Sequence, residues 1–163
     1  MAGDAIKSNQ FGRAVAVSGN VPNVVIIGAP YDDEGGENAG AVYVYRYSGS
    51  GWRQEARLKP ATAGAYFGSA VALEANMAII GAPFNDEDRF GRPDEALGSA
   101  YVYRWDGTTW QEHKKLSASD GTPGNRFGAA VSISGRFVII GAPDRYGYSP
   151  DSSTGAAYVY LVD

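Results

Sequence analysis

Side chains able to do chemistry are unevenly spread over the 163 residues: cysteine is absent and histidine occurs once, at His113. Carboxylates gather instead in three segments that each follow Gly-Ala-Pro. The first, Tyr31 to Ala39, carries Asp32, Asp33, Glu34 and Glu37; the second, Phe84 to Leu97, carries Asp86, Glu87, Asp88, Asp94 and Glu95; the third, Asp144 to Thr154, carries Asp144 and, close by, Tyr146. Carboxylate oxygens are the right ligands for a hard cation, so calcium is the one cofactor these loops raise. Consecutive acids are not the spacing of a calcium loop, however, and no residue is assigned as a metal ligand. A lone His113 in a polar segment completes neither a catalytic triad nor a histidine–cysteine metal site. No carboxylate recurs in a buried motif either, so the chain is expected to be non-catalytic. What remains is recognition by acidic loops, with Asp32, Asp33, Glu34, Glu37, Asp86, Glu87, Asp88, Asp94, Asp144 and Tyr146 as the candidate ligand-binding residues.

These segments are held by a frame that is written three times. Phe11-Gly12, Phe67-Gly68 and Phe127-Gly128 each precede an apolar run ending in Gly-Ala-Pro, at Gly28, Gly81 and Gly141. Each then leads to Gly-(Ala/Ser)-(Ala/Val)-Tyr-Val-Tyr, at Gly40, Gly98 and Gly155. Repetition at this spacing marks a repeat array, with units at about residues 11–60, 67–118 and 127–163 of a single 1–163 segment. Within a unit the pattern predicts four short strands and no helical stripe. The first, opening at Phe-Gly, alternates small residues with Val, Leu or Ile, as suits the crowded axis of a propeller. The second is a continuous apolar run, ended by a proline that cannot donate to the ladder. The third alternates Tyr and Val. The fourth runs from Trp52 to Leu58 and from Trp110 to Leu116, after hairpins of equal length; Asp106-Gly107 is a turn signal. The third unit shows no fourth strand, so an apolar edge is expected there.

Composition agrees. Hydrophobic content of 44% with 22 glycines and 11 tyrosines describes a globular, turn-rich β chain. A net charge of −4 and a pI near 5.0 argue against a nucleic-acid partner, which calls for a basic face. No signal peptide is legible at the N-terminus, and no run is long and apolar enough for membrane insertion. The recurring Tyr43, Tyr45, Tyr101, Tyr103, Tyr158 and Tyr160 suit packing between blades better than sugar stacking, with their hydroxyls finding partners at the edge.

Phe-Gly, Gly-Ala-Pro and Gly-Ala-Val-Tyr-Val-Tyr together resemble the FG-GAP repeat family, found in the propeller of integrin α-subunits and in bacterial surface and secreted proteins. The resemblance covers nearly everything from Phe11 to Val162. It implies an all-β fold of four-stranded antiparallel β-propeller blades, an extracellular or cell-surface setting, and a ligand-binding or cell-adhesion role for a protein or glycan partner. Calcium-binding members hold the ion in the turn between strands one and two with Asp-x-Asp-x-Asp-Gly. Here those turns are Ser18 to Asn23, Glu74-Ala75-Asn76 and Ser134-Gly135-Arg136, nearly without carboxylates, so those ligands carry over to no position. The alternative role is structural: a propeller segment that completes a ring, or an accessory part of a larger secreted enzyme. Three units are too few for a ring of four to eight blades, so a homo-oligomer is expected, most simply a dimer closing a six-bladed ring.

Overall fold

The computed structural model describes residues 9–18, 23–60, 65–84, 97–121, 124–143 and 154–163. These residues form eleven strands and no helix, in three antiparallel sheets. The first blade is β1 (Ala14–Ser18), β2 (Val24–Ala29), β3 (Ala41–Tyr47) and β4 (Trp52–Leu58). The second is β5 (Ala70–Glu74), β6 (Met77–Ala82), β7 (Ser99–Trp105) and β8 (Trp110–Leu116). The third is β9 (Ala130–Ser134), β10 (Phe137–Ala142) and β11 (Ala156–Leu161), with β11 at its edge. Strands follow one another across each sheet in chain order, the usual outcome when consecutive strands pair. β1, β5 and β9 lie beside one another, so the first strand of every blade is the innermost.

Each blade exposes two apolar faces, because alternate residues of a strand point to opposite sides. Val24, Ile26, Val42 and Val44 of the first blade close on Ala78, Ile80, Tyr101 and Tyr103 of the second. Met77, Ile79 and Val102, on the other side of the second blade, close on Val138, Ile140, Tyr158 and Tyr160 of the third. Phe67 and Phe127 are completely buried in these two joints, edge-on to the tyrosine pairs Tyr101/Tyr103 and Tyr158/Tyr160. Tyr101, Tyr103, Tyr158 and Tyr160 therefore pack between blades, with Tyr103 donating to Lys59 O at 3.2 Å and Tyr160 to Ser117 O at 2.7 Å, whereas Tyr43 and Tyr45 pack within the first blade.

The inner strands begin at Ala14, Ala70 and Ala130 rather than at the preceding Phe-Gly. Gly12, Gly68 and Gly128 turn the chain at φ near +90°, a conformation glycine tolerates at no steric cost, so Phe-Gly stands outside the ladder. Its role is to lock adjacent blades. Phe67 bridges in parallel to Gly40 and Phe127 to Gly98. A β-carbon on Gly28 would lie 2.1 Å from Gly68 O, and one on Gly81 would lie 1.9 Å from Gly128 O. The glycine of Gly-Ala-Pro in one blade is thus the notch that receives the Phe-Gly of the next.

A candidate recognition face at the start of the loops

Asp32, two residues beyond Pro30, does not point to solvent: it is 2% exposed. Asn9 Nδ2 donates to it at 3.2 Å, the Tyr43 hydroxyl at 2.8 Å and the Glu34 backbone N–H at 3.1 Å, while the Arg57 guanidinium forms an ion pair with it. Burial alone would raise its pKa; the hydrogen bonds from Arg57, Glu34 and Tyr43 outweigh that and hold it below the usual carboxylate range. The same neighbourhood pushes Tyr43 up to about 12, through burial first and then the adjacent Asp32 carboxylate. Arg57 also pairs with Glu34, which takes Lys59 Nζ at 2.6 Å on its other oxygen. Arg57 of β4 and Lys59 just beyond it therefore fold the acidic loop back onto the sheet.

Asp33 is exposed and shapes the loop, its Oδ1 accepting from Asn38 N–H at 2.8 Å. Glu37 is exposed as well and lies close enough to Tyr66 to add to the upward pKa shift that burial causes there. Of the acids in the first loop, two are engaged in internal ion pairs, one shapes the loop backbone and Glu37 faces solvent. Asp86, Glu87, Asp88, Asp94, Asp144 and Tyr146 lie outside the described residues. Among those described, no three His, Cys, Asp or Glu side chains are grouped so as to hold a metal ion.

Where the loops leave Gly-Ala-Pro, the structure shows a feature that reading the sequence missed. Tyr31 meets Tyr66 edge-on at 5.1 Å, Tyr66 meets Phe84 at 4.9 Å, and the Arg126 guanidinium lies over Phe84 at 4.6 Å. Tyr31 and Phe84 are the residues directly after Gly-Ala-Pro; Tyr66 and Arg126 directly precede Phe-Gly. The strip therefore runs across both joints between blades. Gln10, Tyr66 and Arg126 share a left-handed backbone, at φ 51°, 51° and 54°, which a non-glycine residue adopts only when its surroundings impose it. The repeat register was the available signal: variable large side chains next to an invariant lock. Aromatic rings bordered by a cation can stack on an apolar face while the cation hydrogen-bonds the polar groups around it.

Three sheets of this construction, packed face to face through their long axes with the first strand innermost, are blades of a β-propeller-type module. The comparison with protein families gives the particular kind: the FG-GAP repeat matches residues 1–45, 52–103 and 110–160. The chain belongs to the FG-GAP repeat family. The second and third matched segments each pair the outer strand of one blade, β4 or β8, with the three inner strands of the next, so each of these two spans one of the joints described above.

Proposed function

We propose that this chain is a non-catalytic recognition module of the extracellular kind typical of FG-GAP repeats, binding a protein or glycan partner at the end of the blades where the post-Gly-Ala-Pro loops begin. The observation that carries this reading is the Tyr31–Tyr66–Phe84–Arg126 strip. Loops on a rigid frame are where binding residues concentrate, and aromatic rings supply contact area at little entropic cost. Asp32 and Glu34 support that face from beneath by holding the first loop in place.

A glycan and protein array probed with the labelled chain tests the proposal, read against Tyr31→Ala and Glu37→Gln. Both positions are exposed, so the fold should survive while a saturable signal is lost. Binding retained by the double variant would move the site away from the strip. The purely structural role, in which the chain serves only as part of a propeller frame, predicts no saturable ligand on the array.

A further inference from the structure

The residue before Phe-Gly is held in the left-handed region in every unit: Gln10, Tyr66 and Arg126 stand at φ 51°, 51° and 54°. The frame imposes this conformation through the backbone. Each carbonyl accepts from the amide three residues on, from Arg13 N–H at 3.0 Å, Ser69 N–H at 3.1 Å and Ala129 N–H at 3.1 Å, and Tyr66 N–H donates to Asn38 O at 3.0 Å. None of these bonds uses the side chain of the left-handed residue itself. A β-carbon is crowded in that conformation, so glycine or asparagine is what such a backbone favours. The other two left-handed non-glycine residues among those described obey the preference or soften the penalty: one is Asn38, the other Ala75. Before Phe-Gly the chain instead places a long amide, a phenol and a guanidinium. Burial does not account for them. Phe67 and Phe127, next in the chain, are completely buried in the joints, whereas Tyr66 and Arg126 are half-buried at the surface and Tyr66 belongs to none of the apolar clusters. Both instead stand in the strip, Tyr66 between Tyr31 and Phe84, Arg126 over the Phe84 ring.

We infer that the position before Phe-Gly sets the specificity of the recognition face: Tyr66 and Arg126 are kept, against the preference of their backbone, for what they present to a partner. The inference rests on the recognition role proposed above and adds which residues choose the partner. A strained backbone persists where its surroundings over-determine it, and such positions cluster at binding sites. The phenol at the first joint offers an apolar ring with one hydroxyl, and the guanidinium at the second offers a fixed charge with several donors. Neighbouring joints thus display different chemistry on one backbone. Exchanging the two residues exchanges that chemistry and leaves the frame as it was.

The glycan and protein array supplies the binding readout, and urea titration of the same samples reads the fold. Tyr66→Gln and Arg126→Gln copy the residue that the first unit carries at this place. Each should keep the wild-type urea midpoint while weakening the saturable signal by about tenfold or more. Tyr66→Asn, which suits the left-handed backbone better, should have a midpoint no lower than that of Tyr66→Gln. The exchanged chain, Tyr66→Arg with Arg126→Tyr, should fold as the wild type does and bind a different set of array features. A clearly lowered midpoint in the glutamine variants would show that the two side chains serve packing and would overturn the inference. Unchanged affinity in those variants, or an exchanged chain that binds the wild-type ligands equally well, would overturn it too. A wild type with no saturable ligand is a separate outcome: it removes the recognition role itself, and the inference with it.

Discussion

The second and third blades share one design and differ in what covers them. Ile79 and Ile139 occupy the same register position, as do Val102 and Val159, and Gly81 and Gly141. In the second blade all three are sealed by a neighbour; in the third all three face outwards or stand in an open notch. Side chains identical in type thus differ in their expected contribution to stability by a large part of their burial energy, so the unit of stability in this fold is the joint between blades rather than the blade.

The strongest way to break this comparison is at the locking phenylalanines. Phe127→Ala should destabilise by about 3–5 kcal/mol, as for any large core aromatic, whereas Phe11→Ala, at a partly exposed lock with no notch before it, should cost well under half of that in a monomeric sample. Urea titration of both variants measures it, and equal costs would refute the claim that joints carry the stability. Ile79→Ala and Ile139→Ala sharpen the same point: the first should lose about 2–5 kcal/mol and the second about 1 kcal/mol or less. Gly81→Ala forces a methyl group onto Gly128 O and should cost about 3 kcal/mol or more, while Gly141→Ala has only Ala130 to displace.

A smaller effect separates the first blade from the second. The first holds its loop with the Asp32–Arg57–Glu34 pairs, and Glu55 joins the blades by accepting from Arg46 and from Trp110 Nε1. In the second blade the residue in the place of Arg57 is Lys115, whose ammonium lies over the Tyr101 ring at 5.8 Å. Asp32 and Glu55 ionise more readily in the folded chain than their ordinary values of 3.8 and 4.5, despite burial. A carboxylate with a depressed folded pKa contributes stability that is complete above the unfolded value and is lost as pH falls through the folded one. Thermal stability should therefore be flat near neutrality and fall below about pH 4, and Asp32→Asn should flatten part of that fall while lowering stability by about 1–3 kcal/mol at neutral pH. An unchanged acid profile would show that Asp32 carries none of it. The smallest expected effect is that of calcium. Binding to the native chain at a hundred times its dissociation constant would contribute about 2.7 kcal/mol, readily seen as a raised Tm; a shift of no more than a degree or two is expected, and a larger one would identify a calcium site on the acidic loops.

The amino-acid sequence by itself determined the number of blades, their strand order and the packing role of the tyrosines in the second and third blades. Those follow from local signals, an alternation of period two and turn residues at fixed offsets, which repetition multiplies by three. Phe-Gly, placed by its spelling within the first strand, turned out to be a lock between blades, because a left-handed glycine takes it off the ladder and only the approach of the neighbouring sheet shows where it goes. The acidic loop was legible as charge but not as geometry: Asp32 and Arg57 stand 25 residues apart, and nothing local says that strand four returns a guanidinium beneath the loop. The Tyr31–Tyr66–Phe84–Arg126 strip was hidden for the same reason. Its members come from the middle of one unit, directly after Gly-Ala-Pro, and from the residue before the next Phe-Gly, and they meet only because the lock between blades brings those two points of the chain together.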